Sequence, residues 1–464
     1  MRVTLVYSGI SGKGFNSIGQ GMDSGWISHA LCLLSAVCKQ AGHEVDLIDL
    51  RCLRGWDHFR EEIARRRPQV CTWGMMSVDF DYVVRCTEIV KEVDPSIVTV
   101  VGGTHPTIML HEVRPIETID HIITHEAEIS LPQLLTDLEA GREAPRVIRG
   151  IQPDLDRLPF ADREMFLDEW RRFGYDTRLT EVGFGDFVDP FVTVIAGRGC
   201  IYKCSFCMPA ENAVYGGKVR RRSVENVMAE LEELRDKYHF KSLFIHDQCL
   251  TEDKEWVYEF CRQYRARGFT APWACQTRAD ITARNEDLVR TMREAGLLCY
   301  FIGFESGSQR LLNFVRKGTT VEQNLAAARM CHKYGIQIWA NYMFGLPTET
   351  RDDVIATVRM IKEIDPDFYS PTFYTPHPGT DLFAWVEQEG LSLVKDHTSY
   401  RRNPEEAKIQ GVDYALVRWG LEESQRPLLK NHVRRQARRY WKRYANPRKV
   451  ARKVGRVVSH QLVG

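Results

Sequence analysis

Three cysteines, Cys200, Cys204 and Cys207, fall within eight residues of the run Gly197-Arg198-Gly199-Cys200-Ile201-Tyr202-Lys203-Cys204-Ser205-Phe206-Cys207. The run directly follows an apolar stretch, residues 191–196, that reads as a strand. Three thiolates so close together at the end of a strand can each bind one iron of a [4Fe–4S] cube. The fourth iron then has no protein ligand and is open to chemistry. Two blander readings compete: a structural zinc knuckle, which is usually written with two Cys-x2-Cys pairs, and three buried free thiols. The other ten cysteines are scattered singly and read as core residues.

The elements that must position these thiols come in two βα series. In the first, short apolar runs at 3–7, 44–48, 70–73, 97–101 and 121–123 alternate with amphipathic stretches at 27–40, 57–66, 82–92 and 131–139, which predicts a doubly wound α/β domain over residues 1–141. Ligands of such folds sit outside the carboxyl ends of the strands. There the sequence is rich in small residues: Ser8-Gly9-Ile10-Ser11-Gly12-Lys13-Gly14 after the first run, Gly74-Met75-Met76-Ser77 after the third, and Gly102-Gly103-Thr104-His105-Pro106-Thr107 after the fourth. Small residues let backbone approach a bulky ligand. A proline-marked connector, 142–190, follows. The rhythm then resumes over 191–393, with strands expected at 191–196, 241–245, 272–276, 299–303, 337–343 and 367–374. Six such units suggest an open (β/α)6 barrel whose chemistry lies at the strand carboxyl ends.

The spacing Cys-x3-Cys-x2-Cys, with an aromatic residue before the third cysteine, resembles the signature of the radical S-adenosylmethionine (SAM) superfamily. The phrases Ala41-Gly42-His43-Glu44-Val45-Asp46-Leu47-Ile48-Asp49 and Val101-Gly102-Gly103-Thr104-His105-Pro106-Thr107 resemble the cobalamin-binding domain that precedes the barrel in class B radical SAM methyltransferase-like enzymes. The resemblance implies three cofactors: a [4Fe–4S] cluster on Cys200, Cys204 and Cys207, SAM on the open iron, and cobalamin in the flavodoxin-like first domain. It also implies a set of strand-end contacts. Asp247 and its neighbours would receive the SAM ammonium after the second barrel strand. Gln276 and Arg278 follow the third strand, where the guanidinium would face the SAM carboxylate. Glu305 and Ser306 follow the fourth, with Glu305 at the ribose hydroxyls, and Gly345 would border the adenine beside Phe206. Ser77, Gly102 and Gly103 would line the slot for the cobalamin nucleotide tail. The Asp-x-His-x-x-Gly signature, whose histidine ligates cobalt, is absent and no histidine precedes His29, so no histidine on cobalt is expected.

The implied activity is methylation of an unactivated carbon in a hydrophobic substrate, of lipid-like, tetrapyrrole or natural-product type, with an electron donor of the flavodoxin or ferredoxin type. Ring closure, oxidation or rearrangement with the same cofactors is the alternative within enzymes. A non-catalytic iron–sulfur or cobalamin sensor that binds nucleic acid is the alternative from another class. A methylthiotransferase is disfavoured, because Cys32, Cys38, Cys52, Cys71 and Cys86 show no strand-end clustering.

Composition bounds the rest. At 464 residues and 44% hydrophobic, the chain has enough apolar residues for the cores of two or three domains. It has no run of eighteen apolar residues and it opens on a strand-like Met1-Arg2-Val3-Thr4-Leu5-Val6, so a cytoplasmic protein with reduced thiols is expected. The net charge of +1 is unevenly distributed: residues 424–464 hold thirteen Lys or Arg and no acid, which leaves −12 on the remainder. Within the region 394–464, Arg434, Arg435, Arg438, Arg439, Lys442 and Arg443 recur at helical spacing among Val433, Tyr440, Trp441 and Tyr444. This pattern suits an anionic membrane surface. Nucleic acid would attract the same charges, and a solvated helix packed on the acidic remainder is the plain alternative.

Overall fold

The computed structural model describes residues 1–10, 14–18, 26–175, 186–207, 214–401 and 406–427. The basic tail beyond residue 427, and with it the expected helix, lies outside them. Two six-stranded, wholly parallel sheets organise the rest.

The first sheet holds β1 (Arg2–Tyr7), β2 (Glu44–Asp49), β3 (Val70–Gly74), β4 (Val98–Gly102), β5 (His121–Thr124) and β6 (Val147–Arg149), in the order β2-β1-β3-β4-β5-β6. Its inner strands β1, β3, β4 and β5 are mostly apolar and buried, as a parallel sheet covered on both faces requires, while the edge strand β2 mixes acids with apolar residues. The covering helices are His29–Gln40, Trp56–Arg66, Phe80–Val93 and Ser130–Glu139. The strand order reverses between β1 and β3, the switch point at which such sheets open a crevice. β6 falls in the stretch that the sequence reading gave to the connector. Three residues long and preceded by Pro145, it carries no periodic signal, and its pairing with β5 alone makes it a strand.

After the connector come β7 (Phe191–Val194), β8 (Gly197–Arg198), β9 (Arg220–Arg221), β10 (Ser242–Ile245), β11 (Trp273–Thr277), β12 (Leu297–Glu305), β13 (Gln337–Phe344) and β14 (Phe368–Phe373). Six of these form the second sheet in plain sequence order, β14-β13-β12-β11-β10-β7, a partial barrel with open edges. β8 and β9 form a separate antiparallel ribbon that carries the start of the cysteine loop. Across the barrel sheet runs a ladder of stacked rings: Phe244 on Phe301 (4.8 Å between centroids), Phe301 on Trp339 (4.7 Å) and Trp339 on Phe368 (5.3 Å). Ala274 on the intervening β11 is small enough for Phe244 and Phe301 to meet.

The connector helix Glu164–Arg172 binds both units. Toward the first domain, Trp170 donates to Asp49 (2.9 Å) and Arg66 pairs with Glu169 (2.7 Å). Toward the barrel, Arg163 pairs with Glu230 (2.9 Å), which also holds Arg222. Burial alone would raise the Glu230 carboxyl, but the two guanidiniums overcome it and hold the group at about 2.

Candidate active site

The cysteine loop is held by its neighbours on both sides. Asp247, at the end of β10, accepts from the Ala196 N–H (2.7 Å) and pairs with Arg221 of β9 (2.8 Å). Its oxygens thus secure the strand that leads into Cys200, and Asp247 is a positioning residue rather than a group free for the SAM ammonium. Farther along, the Ser205 N–H donates to the Val315 carbonyl (3.0 Å), and the Ser205 carbonyl accepts from Leu382 (2.8 Å). Cys200 and Cys204 are partly buried, Cys207 is exposed and the other ten cysteines are buried. The three loop thiols do not gather within 4.8 Å of one another, as the ligands of a single ion would.

Arg278 stands beside the loop. One guanidinium nitrogen is 3.9 Å from Cys204 Sγ and another donates to the Lys317 carbonyl (2.7 Å). The group pairs with Asp280 (2.9 Å), and its Cζ lies over the Tyr202 ring, 3.6 Å from the centroid. The expected partner of this cation was a ligand carboxylate, whereas the fold places it on the loop itself, next to the Cys204 sulfur.

Glu305 ends β12 at a bulge, with φ of +61°, a conformation that costs a non-glycine residue free energy and so marks a site held by its surroundings. Its carboxylate takes the ammonium of Lys317 (2.7 Å). Burial works against the Lys317 charge, but Glu305 and then Cys204 keep it above the ordinary lysine range. Sequence reasoning missed Lys317, because it sits on a turn with no periodic signal. Ser306 is fully buried with its hydroxyl on Thr357 (3.1 Å), so it shapes the turn and is closed to a ligand. Gln276 on β11 is partly exposed. The Gly345 N–H donates to Glu349, and Phe206 packs with Met343 and Leu346 in one apolar cluster.

Between the carboxyl ends of the first sheet and the mouth of the barrel lies a mostly apolar cavity of about 480 Å³, within the size range of ligand sites. Tyr7, Trp73 and Met75 line it from the first domain, and Ala196, Arg198 and Gln248 from the barrel. Gly102 and Gly103 also line it. A Cβ on Gly103, whose φ is +109°, would stand 3.0 Å from the backbone of Met75, so the close crossing of these two strand ends itself requires glycine. Ser77 does not line the cavity; its hydroxyl lies 3.0 Å from His105 Nδ1, behind the wall. Three histidines do reach the wall, His29, His125 and His246, from segments that the sequence does not place together. Burial, followed by the charge of Arg163, lowers His29 to about 3, and its Nε2 is tied to Thr193 (2.5 Å). Glu126 and Glu128 bind across to the start of the cysteine loop: Glu128 pairs with Arg198 (2.7 Å), and Glu126 with Arg198 and Arg220.

Residues 194–361 match the radical SAM superfamily, and residues 23–135 match the B12 binding domain. The chain belongs to the cobalamin-binding radical SAM proteins. An uncharacterised methyltransferase of Pyrococcus horikoshii is 27% identical over 68% of the chain and 68% of its own length. The anaerobic magnesium-protoporphyrin IX monomethyl ester cyclase of Rubrivivax gelatinosus is 27% identical over 82% of the chain and 69% of its own length. Among solved structures, the radical SAM methyltransferase TsrM of Kitasatospora setae, with cobalamin and a [4Fe–4S] cluster bound, shares the fold with a TM-score of 0.65, 17% identity, and coverage of 92% of this chain and 91% of that one. The cofactors of this radical SAM protein are accordingly a [4Fe–4S] cluster, SAM and cobalamin. The residues present fit them: a three-thiol loop with a cation beside it, a buried ion pair at the end of β12, and a glycine-walled apolar cavity at the switch point of the first sheet.

Proposed function

We propose that this protein methylates an unactivated carbon of a hydrophobic substrate. The observation that carries the reading is the cavity, whose walls come from the carboxyl ends of the first sheet on one side and from the strand entering the cysteine loop on the other. Groups held by the two domains share one apolar chamber, the arrangement that transfer between them needs. When bound, the cluster supplies the electron that cleaves SAM, and cobalamin supplies a transferable methyl group.

The chain's own residues then have separate tasks. Cys200, Cys204 and Cys207 hold the cluster, and Arg278 steadies the Cys204 thiolate. Glu305, with Lys317, and Gln276 form the polar edge for SAM, while Phe206 provides apolar packing beside Gly345. Gly102 and Gly103 admit the corrinoid, and the ion pairs of Glu126 and Glu128 keep the two halves of the chamber together and water out. An electron donor of the flavodoxin or ferredoxin type serves the exposed side of the loop, where Cys207 lies. The relative named a cyclase supports a second outcome at the same site, oxidative ring closure. Anaerobically reconstituted protein, incubated with SAM, cobalamin, a reductant and extract of the native host, separates the two. A mass gain of one methylene in an extract component is the expected result; loss of two hydrogens with no added carbon would establish the cyclase outcome instead.

A further inference from the structure

We propose that His105, Glu112 and His397 form a divalent-metal site, of the kind zinc occupies, that fastens the segment after the barrel to the wall of the B12-binding domain. Among the described residues this is the one group of three such side chains whose donor atoms all lie within 4.8 Å of one another. Glu112 Oε2 is 3.4 Å from His105 Nε2 and 2.9 Å from His397 Nε2. Ligands about 2.0–2.1 Å from a tetrahedral zinc ion stand roughly 3.3 Å apart, so the set needs little rearrangement to close on an ion.

Two further observations point to a ligand. His105 is fully buried, and its Nε2 has no hydrogen-bond partner although it faces the Glu112 carboxylate. A simple ion pair between Glu112 and a charged His397 would explain the 2.9 Å contact, but it would leave that buried nitrogen unmet. The other ring nitrogens are also held. His105 Nδ1 meets Ser77 Oγ at 3.0 Å, and His397 Nδ1 stands 3.5 Å from Asp81 Oδ1, the carboxylate–histidine arrangement that orients metal ligands. Phe80 stacks on the His397 ring at 4.0 Å and 19°, and the two histidine rings stand 85° apart. Two imidazoles and a carboxylate suit zinc and leave a fourth position for water.

The ligands come from two short helices, Thr104–Ile108 and Leu110–Val113, and from the turn His397–Tyr400. His105 follows the Gly102-Gly103 pair of the cavity wall by two residues. An ion here therefore braces that wall against His397, which lies 285 positions beyond Glu112 in sequence.

The test uses full-length protein carrying its cluster and cobalamin, treated with chelator, titrated with zinc and freed of excess by gel filtration. About one zinc per chain is expected, with only nitrogen and oxygen neighbours in the zinc X-ray absorption spectrum. His397→Ala and Glu112→Gln should each weaken binding at least tenfold while leaving the iron and cobalamin content unchanged. Zinc should raise the melting temperature of the parent but not of His397→Ala. Equal zinc retention by the parent and both variants, sulfur neighbours at about 2.3 Å that place the ion on cysteines, or no zinc retained by the parent would each overturn the proposal.

Discussion

The space a Cβ on Gly303 would fill is taken by the Glu305 carboxylate, 2.3 Å away, and the Lys317 ammonium, 2.8 Å away, so one missing side chain permits a buried ion pair beside the cysteine loop. At this scale the chemistry rests on few atoms. Cys200→Ala, Cys204→Ala and Cys207→Ala should each abolish reductive SAM cleavage, since removing one thiolate uncovers a second iron; parent-rate production of 5′-deoxyadenosine by any of the three would remove that cysteine from the cluster. Glu349 offers a pH test. Its carboxyl is raised to about 8, chiefly by burial, although the Gly345 N–H favours the charged form. The folded chain thus keeps a proton that the unfolded chain releases above the ordinary glutamate range near 4.5. The stability tied to that proton is present below pH 4.5 and is lost as pH rises through 8. Glu349→Gln should match the parent melting temperature near pH 5 and exceed it by a few degrees at pH 8.5. Identical melting curves for the two at both pH values would contradict the assignment.

Among the elements, the connector helix does more than span a gap. Arg163, Glu230 and the partly buried Arg222 form an ion triad between it and the barrel, and Glu169 and Trp170 grip the first domain. Glu230→Gln leaves the buried Arg163 and the partly buried Arg222 without their counter-charge, which should cost about 3–5 kcal/mol, read as a lower urea midpoint at pH 7. Because the folded carboxyl sits near 2, its contribution is complete above about pH 4.5 and disappears only as pH falls through 2. An unchanged midpoint at pH 7 would mean that the triad contributes nothing to holding the barrel. The β8–β9 ribbon acts similarly at shorter range, since it brings Arg198, Arg220 and Arg221 to Glu126, Glu128 and Asp247.

Over the whole molecule, the acidic body and the basic residues beyond 427 are separate electrostatic objects. No helix of the described residues is long and apolar enough to cross a membrane. We propose that the tail attaches the protein to anionic surfaces from outside. The point of truncation matters, because the helix Tyr414–Ser424 packs on the barrel through Ser424 on Tyr342 (2.8 Å) and Glu423 on Lys362. A chain ending at Pro427 keeps these contacts. It should still cleave SAM but lose co-sedimentation with anionic vesicles. Equal sedimentation of the full and shortened chains, or tighter salt-dependent binding of the full chain to RNA than to vesicles, would remove the membrane reading.

Local pattern alone determined much of this protein. Eleven of the twelve strands of the two sheets were legible because a parallel strand covered on both faces must be an apolar run, and the cysteine loop was legible because its ligands lie within eight residues. Only tertiary structure decided where the strand-end polar groups point. Asp247, Arg278 and Ser306 look like ligand contacts from their positions, but Asp247 holds the strand entering the cysteine loop, Arg278 lies against Cys204 of that loop, and Ser306 is bound to Thr357, all partners at least fifty residues away in sequence. The cavity histidines and the meeting of His105 with His397 were invisible for the same reason. Periodicity reports which face a residue lies on, whereas a partner hundreds of residues away is chosen by how the two domains dock.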